Sequence, residues 1–457
     1  MKRLITKEFI QWKNRENRKP LIVRGARQVG KTYSIDEFAR NNFSHFLKIN
    51  FEAQPELKSI FKSNNTEQIL QELTILFGID FMPNETLLFL DEIQTCPEAL
   101  VSLRYFYEQQ PKLHVIAAGS LLDFALNDVQ YSMPVGRVEF CYLFPMNFQE
   151  FLLALSQEKL LNYIRNYSPG KAFSPVIHSK ILEYLKTYFF IGGMPEAVKT
   201  FINQNKLSEV ERIHSSILTT LQFDFAKYGT RKQQDYLLSV LKYSALNAGK
   251  KVKYVNIDSD VRSAMFKETF QRLQMSRIIH KITHTNANQV PLTTNENTNI
   301  FKPLFFDIGL SNHLSGIRLI SLEEIFTNNQ GALAEQFIGQ ELLTTAPPYL
   351  DSKLYYWTRE AKSSNSEIDY LYQHQNRIFP IEVKSGKGGT LKSLQVYLFE
   401  KKLNTGIRYN LDLPTVGQFS VKVHAAKSEG KLAYQLLSLP LYMCFRIDKL
   451  IESILSK

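Results

Sequence analysis

The sequence predicts an α/β architecture: a parallel sheet with flanking helices, then a helical middle, then a second α/β unit toward the carboxyl end. Three observations predict it. Across residues 1–150, apolar strand-like runs alternate with helix-like stretches, the pattern of a parallel sheet. The run Leu21-Ile22-Val23 leads into Gly25-Ala26-Arg27-Gln28-Val29-Gly30-Lys31-Thr32. Late in the chain, two further strand-like runs bear Asp369 and the pair Glu382 and Lys384.

The first element fits G-x-x-x-x-G-K-[ST] throughout. Gly25 and Gly30 let the backbone turn tightly, so the amides of Ala26, Arg27, Gln28 and Val29 can surround a phosphate chain. Lys31 supplies a point charge to the β- and γ-phosphates, and the Thr32 hydroxyl can ligate Mg²⁺. Tyr33 to Ala39 continues as a helix whose amino end faces the anion.

Leu87-Leu88-Phe89-Leu90 is short and apolar enough for a buried parallel strand, and it ends in Asp91-Glu92. Two carboxylates there suit a Walker B element: Asp91 holds the hydrated Mg²⁺ and Glu92 orients and polarises the attacking water. His114 to Ala118 is a further strand, followed by Gly119-Ser120. Ser120 is expected to sense the γ-phosphate or to cap a helix, and can do both. ATP is the expected nucleotide, because the Asn-Lys pair Asn205-Lys206 runs on into Leu207-Ser208 and not into the base-reading N-K-x-D of GTPases.

Bulk composition sets the remaining bounds. The 457 residues, 44% hydrophobic and 22% charged, suit a soluble chain of several domains. No apolar run reaches the ~18 residues of a membrane span. Three scattered cysteines, Cys96, Cys141 and Cys444, have no metal spacing, and a cytoplasmic location is expected. Of the net charge of +11, an excess of 8 lies between Arg212 and His284, with 13 Lys/Arg against 5 Asp/Glu. Clustered positive charge favours a polyanion such as DNA.

From Phe144 the pattern turns helical up to about Phe201, broken at Ile191-Gly192-Gly193-Met194-Pro195 by a hinge or tight connection. Next, Tyr236–Leu241 and Ser263–Leu273 show helical spacing, and Ile278–Ile282 and Phe301–Phe306 read as a two-stranded ribbon. Helices followed by a ribbon are compatible with a winged helix-turn-helix carrying Lys267 and Arg272 toward DNA. The expected divisions are 1–150 nucleotide core, 151–204 helical lid, 205–320 winged-helix-like and 321–457 carboxyl-terminal α/β.

In the last division, Glu367 to Tyr372 and Ile378 to Val383 would hairpin and set Asp369 beside Glu382. Paired carboxylates are uncomfortable unless a cation lies between them, and Mg²⁺ suits oxygen ligands. Glu335, on an amphipathic helix upstream, can add a third carboxylate. Lys384 would orient a water or stabilise phosphate charge. This order resembles the PD-(D/E)xK nuclease fold, which can cut DNA or persist as a silent docking module.

The chain as a whole resembles prokaryotic AAA-type ATPases with a C-terminal domain of unknown function. The resemblance rests on Arg24 to Thr32, Leu90 to Gln94, Ala118 to Ser120, Val135-Gly136-Arg137-Val138, Gly192 to Pro195, Phe306 to Leu310 and Glu382 to Gly386. It implies ATP binding, a winged-helix segment and a nuclease-like carboxyl-terminal domain, and leaves homo-oligomerisation open. Arg137 matches the group's Gly-Arg pattern, which implies a contact to the γ-phosphate in cis or across a subunit boundary. A plain ion pair is the alternative.

Overall fold

The computed structural model describes residues 1–119, 134–226, 230–316, 330–359, 366–384, 391–425 and 428–455. They form two compact units. One comprises Met1–Pro145 with Gln271–Ile278 and Pro347–Asp351; the other comprises Met146–Phe270, Ile279–Ala346 and Ser352–Lys457.

In the first unit the chain runs α1 (Thr6–Lys13), β1 (Leu21–Arg24), α2 (Lys31–Asn42), β2 (His45–Asn50), α3 (Thr66–Phe77), β3 (Thr86–Asp91), α4 (Pro97–Gln109), β4 (His114–Gly119) and β5 (Glu139–Tyr142). The strands form one parallel sheet in the order β2-β3-β4-β1-β5. β3 and β4 are buried at every position, as continuous apolar runs in a sheet covered on both faces must be. Ile49, Leu88, Leu90 and Ala117 pack with Leu73 of α3 and Leu103 of α4 in one apolar cluster. The start of α3 is set by Asn65, whose side chain accepts from the amides of Glu67 and Gln68; left-handed Gly78 stops it. Because β1 lies between β4 and β5, connections diverge on either side of its carboxyl end. That leaves the crevice where open α/β sheets bind ligands.

The second unit opens with helices α5 (Phe148–Ala154), α6 (Glu158–Arg165), α7 (Pro175–Ile191), α8 (Pro195–Gln204), α9 (Leu207–Ala226), α10 (Arg231–Leu246) and α11 (Ser263–Met275). The last turn of α11 belongs to the first unit. Then come β6 (Ile279–Thr285), β7 (Glu296–Phe305), α12 (Ile308–Leu314), α13 (Gln330–Leu343), β8 (Leu354–Thr358), β9 (Glu367–His374), β10 (Arg377–Val383), α14 (Lys392–Glu400), β11 (Thr405–Asn410), β12 (Thr415–Ala425), β13 (Ser428–Pro440) and α15 (Ile447–Leu455).

β6 and β7 pair antiparallel, as expected of a ribbon. They are not a free wing. β6 pairs in parallel with β8, so both strands extend an eight-stranded sheet of order β12-β13-β11-β10-β9-β8-β6-β7. The expected boundary near residue 320 therefore cuts through a single sheet. The reason is visible in β6: Ile279, His280, Ile282, His284 and Thr285 are all buried, which a solvated wing does not require.

The Gly192-Gly193 break is a tight connection. The Gly193 amide donates to Asp307 Oδ2 at 2.6 Å, and its carbonyl accepts from the Met146 amide at 2.7 Å. A Cβ on Gly193 would stand 2.0 Å from the Met146 carbonyl oxygen. Asp307 also caps α12 by accepting from the Leu310 amide. These contacts account for two of the motifs that carry the resemblance as packing devices.

Close by in this unit, buried Glu341 accepts from the Phe148 amide at 2.8 Å. Burial pushes its carboxyl up to about 8, against the pull of that amide, with Glu150 adding to the rise. Between its ordinary value and about 8, the folded state holds a proton that the unfolded state has lost. Stability must then fall as pH rises through that window, by at most about 1.4 kcal/mol per pH unit from this group. Asp307, pushed up to about 6 by burial, acts in the same direction at lower pH. Urea midpoints of Glu341→Gln, which keeps the acceptor oxygen, should show a shallower decline between pH 5 and pH 8 than wild type; an unchanged slope would refute the assignment.

Candidate functional site

β1 ends at Arg24, and the loop folds back over the strand's carboxyl end before α2 begins at Lys31. Gly25 is required by close approach, since a Cβ there would lie 2.2 Å from the Leu143 carbonyl oxygen. Gln28 and Gly30 both take left-handed backbone, at φ 64° and 91°. For Gln28 that conformation is uncommon and is the kind of local strain found in ligand-binding loops.

Buried Lys31 donates from Nζ to the carbonyls of Gly25 at 2.9 Å and Ala26 at 2.8 Å. Its ammonium thus lies inside the loop. Burial lowers it to about 8, the charges of Glu92 and Asp91 opposing that fall and Arg27 adding to it. Thr32 donates from its hydroxyl to Asp91, 3.1 Å from Oδ2 and 3.3 Å from Oδ1. The P-loop and the end of β3 therefore meet. Burial and the adjacent Glu92 raise the Asp91 carboxyl, while Lys48, 3.7 Å from Oδ2, pulls it down.

Glu92 follows β3 in left-handed backbone at φ 52°, and its Oε2 accepts from Gln94 Nε2 at 2.6 Å. Gln94 in turn lies against the end of β4, where a Cβ on Gly119 would be 2.2 Å from Gln94 Oε1. Ser120 lies outside the described residues. Arg137 is not at this edge. It precedes Glu139, which pairs with Leu21 at the amino end of β1, and its Nε stands 2.8 Å from Glu108 Oε1. That is the ion-pair alternative.

Three contributors had little sequence signal. Arg3 donates to the carbonyls of Val29 and Phe144, both at 2.7 Å, bracing the loop from a position far upstream. Lys48 joins Asp91 and Asp36 from β2. Gln94 steadies Glu92, and the nearby Leu90-Asp91-Glu92-Ile93-Gln94 string was the one hint available.

In the second unit, β9 and β10 pair antiparallel with Ile381 opposite Tyr370, so the next rung sets Glu382 beside Asp369, as expected. Asp369 Oδ2 accepts from the Val383 amide at 2.8 Å. Lys384 Nζ lies 2.6 Å from Glu382 Oε1. Glu335 on α13 is there too, and Gly249 leaves room for it: a Cβ on that glycine would come 2.3 Å from Glu335 Oε2.

The centre of this group holds a residue not anticipated. Lys302 of β7 is 1% exposed; its Nζ lies 3.9 Å from Glu335 Oε2, in ion contact with Glu367, and 4.9 Å from the centre of the Tyr356 ring. Burial would lower its pKa, yet Glu335, Asp369 and Glu367 outweigh that and hold it above the ordinary lysine value. Burial raises Glu335, Asp369 and Glu382, the last to about 7.

The expected Mg²⁺ ligands do not fit a metal in this arrangement. Glu335 faces Lys302, Asp369 takes an amide, and one oxygen of Glu382 takes Lys384. Glu382 Oε2 is buried and without a hydrogen bond. Among the described residues, no three His, Cys, Asp or Glu side chains converge as metal ligands.

Comparison with known proteins agrees with the first unit. Residues 17–152 match the family described as AAA domain. Residues 182–320 and 330–412 match two families described as domains of unknown function, DUF8612 and DUF4143. An uncharacterized protein of Methanocaldococcus jannaschii is 25% identical over 176 residues, 38% of this chain and 35% of that relative, so the match spans about a third of the relative's length. Among solved structures, a Walker-type ATPase of Pyrococcus abyssi aligns over 68% of this chain and 94% of that one, at 15% identity and TM-score 0.43. The ORC2 protein of Aeropyrum pernix aligns over 72% of this chain and 96% of that one, at 11% identity and TM-score 0.35. Over residues 17–152, then, the chain is similar to an AAA domain.

Proposed function

We propose that this AAA-type P-loop protein binds ATP with Mg²⁺ at the carboxyl edge of its five-stranded sheet, hydrolyses it, and engages DNA according to nucleotide state. The observation that carries the reading is the buried Lys31 ammonium, held by two loop carbonyls at the amino end of α2. A triphosphate entering the loop would take over that ammonium, while the loop amides and the helix end add further attraction.

Thr32 and Asp91, already in contact, are the residues that would hold Mg²⁺, and that contact supports the fit. The ion, when bound, offsets charge on the phosphate oxygens. Glu92, fixed by Gln94 one residue beyond β3, would orient the attacking water and accept its proton. Asn205-Lys206-Leu207-Ser208 lacks a guanine-reading Asp, which favours ATP.

DNA is the proposed partner because of the excess of 8 positive charges between Arg212 and His284, with Lys267 exposed on α11. Three free, buried cysteines suit a reducing cytoplasm, and no described helix is long and apolar enough to cross a membrane. The test is the Mg²⁺-ATPase rate with and without duplex DNA. The rate is expected to rise with DNA and to lose that stimulation as salt increases. A rate indifferent to DNA at low salt would remove DNA from the reading and leave a protein partner.

A second reading has its own observation. Lys302 among the carboxylates favours a nucleotide-gated switch whose nuclease-like unit docks DNA or a protein and cuts nothing.

A further inference from the structure

Four carboxylates, Glu335, Glu367, Asp369 and Glu382, gather with two ammonium groups in the second unit. Carboxylates this close repel one another, and a cation among them relieves that repulsion; Glu382 is buried, while Glu335, Glu367 and Asp369 are partly exposed. The position is filled from within the protein. Lys302 reaches across from β7, its stem buried and its ammonium enclosed by Glu335, Glu367 and the face of Tyr356. Tyr356 is itself fully buried, so the ring is a fixed wall and not a passing contact. Lys384 holds the other side through Glu382.

We infer that Lys302 is the resident cation of this pocket, standing where the sequence predicts a divalent metal, so that the carboxyl-terminal unit is built to work metal-free. The inference rests on the carboxylate pocket alone and is independent of ATP binding. A P-loop that failed to bind nucleotide would leave it standing.

Two charges decide the chemistry. A divalent ion held by Glu335 would stand close to the Lys302 ammonium, 3.9 Å from Glu335 Oε2, and the two like charges would repel. Removing that ammonium should therefore open the pocket to a metal. It should also leave the carboxylates mutually repelling, so the same change that creates a metal site destabilises the metal-free protein.

The experiment uses the nucleotide-free full chain titrated with Mn²⁺ and read by electron paramagnetic resonance, together with thermal midpoints. Wild type should show no bound Mn²⁺ that Asp369→Asn removes, and its midpoint should not move with Mn²⁺. Lys302→Met should gain a site, at least about tenfold tighter than any in wild type. Adding Asp369→Asn should abolish that site. The Lys302→Met midpoint should drop, and Mn²⁺ or a second substitution, Glu335→Gln, should restore it. If Lys302→Met fails to fold, the Lys302→Met/Glu335→Gln protein and the wild-type titration still decide. Wild-type Mn²⁺ binding lost on Asp369→Asn or Glu335→Gln would overturn the inference, as would a Lys302→Met protein that folds and binds no more Mn²⁺ than wild type.

Discussion

Replacing Lys31 with alanine is expected to weaken ATP binding by about 100-fold or more, near 2.7 kcal/mol. Calorimetry against a non-hydrolysable analogue checks it. The substitution deletes the buried ammonium and both of its hydrogen bonds to the loop, at Gly25 and Ala26. Urea midpoints of the two proteins must be compared so that loss of the loop's internal support is not mistaken for loss of a phosphate contact. The wild-type pH profile gives an independent check. Lys31 titrates at about 8 in the free protein, and phosphates favour its charged form. Affinity should thus hold below pH 8 and fall above it, by up to about tenfold per pH unit, with proton uptake on binding. Lys31→Ala should lack that dependence. Unchanged affinity in the variant would end the assignment of this loop as the nucleotide site.

Glu92→Gln is the second large effect. Binding should persist, because Glu92 has no place in the phosphate cradle, while turnover falls roughly 10²- to 10³-fold with loss of the proton acceptor. The side chain is held for this role in two ways. Left-handed backbone at φ 52° turns it away from the line of β3, and Gln94 fixes one carboxylate oxygen. Such strain in a residue other than glycine persists only where the surroundings impose it. Phosphate release at saturating ATP is the measurement. A wild-type rate from Glu92→Gln would move the proton acceptor elsewhere.

The elements around the P-loop were legible because each is written in a few consecutive residues. The eight residues from Gly25 to Thr32 specify their own turn, and β3 announces itself as an apolar run closed by two carboxylates. The hairpin of β9 and β10 was legible for the same reason: strand periodicity puts Asp369 beside Glu382. For Arg137 a short pattern fixes identity and says nothing about which end of a strand it reaches; the ion pair with Glu108, one of the alternatives open in the sequence, is what the fold forms. The ribbon misled in a related way. Two strands and a turn look alike whether they end in solvent or join a sheet, and only β8 decides.

By itself the sequence determined the P-loop pattern, the acidic end of β3 at Asp91 and Glu92, the alternating order of the first unit and the pairing of Asp369 with Glu382. Tertiary structure alone decided that Arg3 braces the loop, that Asp307 locks Gly193, and that Lys302 fills the carboxylate pocket. The physical reason is sequence separation. A turn or strand is governed by neighbours in the chain, whereas a buried charge is governed by whatever partner folding brings to it. Lys302 lies 33 residues before Glu335 and 65 before Glu367, too far for any local pattern to report which charge would meet which.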